Sequence, residues 1–198
     1  MNPNVDELLQ RMQALREELE VEFKKKRDEI EFVMQGKRAH FAEAVQQRQR
    51  LYRVGLFRYL RSARWLVVLT APVIYSGFFV FAAMDLFVTL YQALCFPVYG
   101  IPKVRRRDYM IFDRGDLPYL NAIERFNCFY CAYGNGVATY LREVAARTEQ
   151  YWCPIKHARR MAAAHERYPE FFEFGDAESF RQGLERLREQ YARDVGEP

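Results

Sequence analysis

Three cysteines and a histidine stand at the spacing C-x2-C-x21-C-x3-H, with Cys128 and Cys131 in "NCFYCAYGNG" and Cys153 and His157 in "CPIKH". Two thiolates in C-x-x-C can hold one ion from a tight knuckle, with zinc to sulfur at about 2.3 Å. Pro154 suits the first turn of a helix. That places Cys153 at its N-cap and His157 one turn on, where both can face one point and the helix N-terminus favours a thiolate. The 21 residues between the pairs hold Gly134-Asn135-Gly136, read as a turn, and a helix over 137–151. The expectation is therefore a closed structural zinc site on Cys128, Cys131, Cys153 and His157, whose binding, of order 10 kcal/mol, would become folding energy.

Other chemistry fits the same residues. Iron or an iron-sulfur cluster could use these donors. Cys128 and Cys131 could cycle as a thiol-disulfide couple, although the preceding strand pattern of a thioredoxin-like site is missing. Cysteine also serves as a small buried hydrophobe, the reading taken for Cys95. His40 and His165 have no partners at ligand spacing, and Asp113, Asp116 and Glu124 offer an acid-base pair only by proximity in sequence. No phosphate-binding glycine loop, dinucleotide fingerprint, H-E-x-x-H or G-x-S-x-G is present, so no sequence motif proposes an enzyme.

The element behind this constellation is an apolar run over residues 65–99 with a single charge, Asp85. As one helix it would be about 52 Å long, against a hydrocarbon core of about 30 Å. A single span bounded by prolines, Val73–Phe96, has a good length but places Asp85 at the bilayer centre, at a cost of about 2.5–3.5 kcal/mol. Arg48, Arg50, Arg53, Arg58, Arg61 and Arg64 precede the run, and Lys103, Arg105, Arg106 and Arg107 follow it. Each such residue near an anionic surface contributes about 1 kcal/mol. Basic flanks on both sides give the positive-inside rule no preferred crossing, which points to a hairpin with legs Leu66–Met84 and Leu86–Tyr99, or else a single span. The net charge of +4 is modest, and no recognition helix, aromatic RNA-binding signature or finger array accompanies the basic clusters, so nucleic acid is not an expected partner.

Around the run, residues 4–62 read as one long helix. Val5, Leu8, Met12, Leu15 and Leu19 form a coiled-coil seam that slips phase before Phe23, Ile30, Met34, Phe41 and Leu51. It is either a solvated helix packing on its own domain or an arm for self-association or a protein partner. "DYMIFD" gives a weak strand signal, and Asp116 with Pro118 suggests a helix start. A further helix is expected from Pro154 to about Arg167, and a last one after Asp176 with Phe180, Leu184, Leu187 and Tyr191 on its buried stripe. The first apolar run starts only at Trp65, so the N-terminus does not read as a secretory signal, and four cysteines then suit a reducing cytosolic setting.

From "CFPVYGIPKVRRRDYMIFDRGDLPYLNAIERFNCFYCAYGNG" to "REVAARTEQYWCPIKHARR", about residues 95–160, the chain resembles a group of bacterial membrane-associated proteins without an assigned activity. The resemblance implies a bacterial origin and carries no functional residue across. The expected organisation is mainly α: a long amphipathic helix over 1–64, a membrane hairpin or transmembrane segment over 65–99, a metal-binding helical domain over 100–168, and an amphipathic helix over 169–198. The expected role is a zinc-containing interaction or scaffold protein at the bacterial inner membrane, its soluble parts in the cytoplasm and the lipid bilayer as one partner. The alternative is a redox or metal-dependent enzyme at the membrane surface using the same cluster.

Overall fold

A computed structural model describes residues 3–29, 32–35 and 38–194. In chain order its elements are α1 Pro3–Asp28, β1 Phe32–Gln35, β2 Arg38–Phe41, α2 Glu43–Arg50, α3 Leu56–Ser62, α4 Trp65–Tyr99, α5 Ala122–Trp152 and α6 Ala177–Asp194. The protein is mainly helical, as its periodicities predict, but several helices begin or end elsewhere than expected.

The long N-terminal helix stops at Asp28 and gives way to an antiparallel hairpin that pairs Phe32 with Phe41 and Val33 with His40. The two phenylalanine rings meet across the strands at 5.7 Å, and Phe41 is buried. Phe41, read as part of a continuing helical stripe, thus finds its apolar partner across a ladder instead, while Phe23 and Leu51 of that stripe stay exposed. Ile30 lies outside the described residues, as do the side chains of Val5 and Tyr191. Gly55 then separates α2 from α3.

The apolar run is one unbroken helix, not a hairpin: α4 continues through Asp85 without a turn. It ends where Gly100 adopts a left-handed conformation (φ 68°) and both Gly100 and Ile101 donate to the Phe96 carbonyl. Among the described residues, α4 alone is long and apolar enough to cross a membrane.

α5 lies beside α4 and runs parallel to it. Tyr75 donates to Asn127 at 2.5 Å, Phe78 packs on Tyr133, Thr89 meets Tyr140, and Tyr99 packs on Trp152, so both chains advance together. Parallel neighbours need a returning connection, and residues 100–121 supply it as a strap running back along the pair. Pro102 accepts from Arg147 at 2.7 Å, Val104 meets Gln92, Arg106 meets Asp85, and the Phe112 ring stacks on Phe129. The buried core lies in this three-sided seam: Val88 and Phe96 of α4, Ile101 and Val104 of the strap, Tyr140 and Val144 of α5.

Gly134 and Gly136 show why α5 does not break at the expected turn. A Cβ on Gly134 would stand 2.7 Å from the Phe81 ring, and one on Gly136 would stand 2.7 Å from the Tyr109 carbonyl oxygen. The glycines are notches that admit α4 on one side and the strap on the other, inside an intact helix. "DYMIFD" forms no strand but a 3-10 turn over Arg106–Asp108 and irregular chain. The start of α5 is set by Asn121, whose side chain accepts from the Ile123 and Glu124 amides while Glu124 accepts from the Asn121 amide at 2.8 Å. Asp116, expected as that cap, instead accepts from the Ala39 amide at 3.0 Å and holds the hairpin against the strap.

After α5 the chain does not form the helix expected from Pro154 to Arg167. Phe172 donates to the Pro154 carbonyl and Lys156 donates to the Phe172 carbonyl, so 154–156 is extended and bridged to Phe172. The last helix does begin after Asp176, which accepts from the Ser179 amide at 3.0 Å. It docks on α5 through Arg188, whose guanidinium lies 4.6 Å from the Tyr151 ring centre.

Candidate membrane-facing surface and the cysteine-histidine set

The four residues expected to bind zinc are not brought together. Cys128 and Cys131 lie within α5, three residues apart on adjoining positions, while Cys153 caps its far end. The 22 residues from Cys131 to Cys153 correspond to about 33 Å along the axis, whereas donors to one zinc must lie within about 4 Å of each other. His157 sits beyond the cap, its ring stacked beside Tyr168 and its amide donating to the Tyr168 hydroxyl. Among the described residues, no group of three or more histidine, cysteine or acidic side chains is placed to hold a metal ion. The expected turn at 134–136 was the fold-back that would have closed the site, and the helix runs straight through it.

Cys153 also differs in its electrostatics. It stands at a helix C-terminus, not an N-cap, with its amide donating to the Glu149 carbonyl. Burial, and then the nearby Glu149 carboxylate, push its thiol above the ordinary range. All four cysteines are free thiols.

Two of the three acidic residues serve structure, and Asp113 is exposed. Asp116 holds the hairpin amide and Glu124 closes the α5 capping box, so neither points a free carboxylate at the other. His165 has a partner the sequence did not signal: its ring nitrogen lies 3.1 Å from Glu149 and its edge meets Phe171. Arg167 reaches Glu143 and Gln150 in the same patch, tying the irregular segment to α5. The polar contacts of His165 and Arg167 with α5 join residues 16 to 24 positions apart, beyond what helical periodicity can show.

The feature that stands out is α4 itself, whose two long faces differ. Asp85, Val88, Gln92 and Phe96 recur every three or four residues and are buried against α5 and the strap. Asp85 accepts a bidentate pair from Arg106, at 2.8 Å and 2.5 Å, and a third bond from the Tyr133 hydroxyl at 3.0 Å. The Gln92 amide accepts from the Val104 amide at 2.9 Å, donates to the Val104 carbonyl at 3.2 Å and donates to the buried Tyr140 hydroxyl. Every polar group on this face is therefore satisfied by protein.

The other face is exposed and apolar but for Thr70 and Ser76, whose hydroxyls donate to the Val67 and Val73 carbonyls of the same helix. Phe79, Val80, Leu86, Phe87, Leu90, Leu94 and Val98 all stand in the open, with Phe87 at 68% exposure and Leu94 at 71%. Towards the N-terminus α4 projects past α5, and there Trp65, Leu66, Val67, Val68 and Leu69 are exposed as well. So long an apolar surface marks contact with lipid or protein rather than water. The approach to α4 is of the same kind with charge added: Leu51, Tyr52, Leu56, Phe57 and Leu60 are exposed, Phe57 at 90%, and alternate with Arg50, Arg53, Arg58, Arg61 and Arg64. Arginine heads among aromatic and leucine side chains suit a membrane interface, where the stems and rings sit at the acyl boundary and the guanidinium groups meet phosphate.

Comparison with known protein families, characterised proteins and solved structures finds no match to this chain.

Proposed function

We propose that this protein is a membrane-anchored interaction or scaffold protein, held to lipid by α4 and its arginine-rich approach and offering α1 to a protein partner. The exposed apolar face along all of α4 carries this reading, because exposing that area to water is unfavourable by about 25 cal/mol per Å2 and lipid removes it from water. The arm supports the second half: Leu8, Met12, Leu15 and Leu19 keep their seam spacing and are exposed, a pattern suited to a second helix from a partner or another copy. Zinc forms no part of the proposal, since its expected donors stand at opposite ends of α5. An enzyme built on the same residues lacks a gathered site for the same reason. The free thiols and basic surface suit the cytoplasmic face of a bacterial inner membrane.

Flotation of the purified protein with vesicles containing an anionic phospholipid tests the membrane half. The protein should rise with the vesicles and remain there after a high-salt wash, because the apolar face holds it once charge is screened. Protein that stays soluble and monomeric at the bottom of the gradient would remove the basis for the reading.

A further inference from the structure

Resting on membrane attachment as proposed above, we infer that α4 does not cross the bilayer: it lies in the plane of one leaflet, its outer face in the acyl region and α5 and the strap in the aqueous phase. The occupant of the apolar face is a lipid leaflet bearing anionic headgroups.

Length argues first. A helix of 35 residues is about 52 Å long, and fitting its whole apolar length into a core of about 30 Å would need a tilt near 55°, outside the 0–40° range that spanning helices adopt. A helix lying along the interface has no such limit.

The neighbours argue more strongly. α5 accompanies α4 from Ile74 to Tyr99, and only the segment Trp65–Val73, about 14 Å, projects beyond its contacts. Over the accompanied length the strap returns alongside, exposing Arg105, Arg107, Asp108, Asp113 and Arg114 to solvent. The Asp85–Arg106 pair fixes the strap halfway along α4, and the Phe112–Phe129 stack fixes it near the α5 start. Any slice of α4 long enough to cross therefore carries exposed charges of the strap into hydrocarbon, where lipid-exposed ionised groups are strongly disfavoured. Rotated by a right angle, the same body keeps the strap in water and immerses only the apolar face, the usual arrangement of an interfacial helix.

Charge selects lipid over a second copy. The apolar face is bounded by Arg58, Arg61 and Arg64 at one end and by Lys103 and Arg105 just beyond the other. Two copies packed face to face, in either direction, would bring basic ends against basic ends, whereas phosphate headgroups neutralise both.

Depth-dependent fluorescence quenching tests the orientation. In a chain carrying Trp65→Phe and Trp152→Phe, one tryptophan is introduced on the outer face as Phe87→Trp or, separately, Leu94→Trp. Each protein is checked for native helix content by circular dichroism and floated with anionic vesicles brominated either near the headgroup end or near the methyl end of the acyl chains. In-plane seating predicts stronger quenching by the shallow bromines at both positions, at equal depth. Stronger quenching of Phe87→Trp by the deep bromines, with Leu94→Trp shallower, would overturn the orientation and leave membrane attachment standing. Flotation without quenching at either position would overturn the seating of this face, and failure to float would remove the attachment itself.

Discussion

The two faces of α4 invert the pattern of a water-soluble helix. The face turned to the protein holds the charged and amide side chains, Asp85 and Gln92, while the face turned outward holds Leu86, Phe87, Leu90 and Leu94. In water the polar residues would face solvent and the apolar ones the core. Here the buried polar groups are satisfied by protein, and the outward face is hydrocarbon apart from the Thr70 and Ser76 hydroxyls, which donate to carbonyls of their own helix. Asp85 illustrates the difference. Taken along the sequence it is a liability in a membrane segment; in the fold it is the anchor for Arg106 and hence for the strap.

On the proposed seating, the inner face controls folding and the outer face controls lipid binding. The largest effect is expected at Tyr140, fully buried where α4, α5 and the strap meet. Tyr140→Ala leaves a cavity and removes a partner of Gln92, and should destabilise the fold by about 3–5 kcal/mol in chemical denaturation followed by circular dichroism. A loss under 1 kcal/mol would show that the seam is not the core of the structure.

Next comes the outer face, where the readout changes. Phe87→Ala removes a ring proposed to touch lipid and should weaken vesicle binding by up to about 3 kcal/mol, while shifting the denaturation free energy in detergent by less than about 0.5 kcal/mol. Equal losses in both measurements would mean that the ring packs on protein and that the two faces are not distinct. Gln92→Leu is the reciprocal case on the inner face. It keeps the volume but leaves the Val104 amide and carbonyl without their partners, destabilising by about 2 kcal/mol with no change in vesicle affinity for the molecules that remain folded.

The same contrast explains what could be read in the sequence. The α4 limits, the α5 segment from 137 onward and the helix after Asp176 follow from local signals: apolar composition, a helical stripe and an N-cap. The errors arose where a local signal served a long-range purpose. Gly134-Asn135-Gly136 has the composition of a turn, yet its glycines answer to Phe81 and the Tyr109 carbonyl, far away in sequence. Pro154 can open a helix, but its carbonyl is taken by Phe172. The expected zinc geometry rested on those two local signals, a fold-back at 134–136 and a helix at 154, and the chain adopts neither. The pairing of Asp85 with Arg106 was foreshadowed only by the isolation of one carboxylate in an apolar run followed by an arginine cluster, a charge that needed a partner and several candidates nearby.

The smallest effect separates charge from apolar contact within the proposed lipid-binding region. Arg58 and Arg61 lie on α3 beside exposed Phe57 and Leu60, and neither takes part in the inner-face network of Asp85 and Gln92. Replacing both with glutamine should leave the denaturation midpoint unchanged and weaken binding to anionic vesicles by about 1 kcal/mol per residue at low salt. The difference from the parent protein should vanish in neutral vesicles, and it should shrink as salt shortens the screening length from about 10 Å at 0.1 M to about 3 Å at 1 M. Phe87→Ala should weaken binding by the same factor at every salt concentration, because burial of a ring in hydrocarbon does not depend on counterions. Parallel salt dependence in the two variants would show that the arginines and the apolar face act through one contact; divergent dependence would show that α3 meets the headgroups while α4 meets the acyl chains.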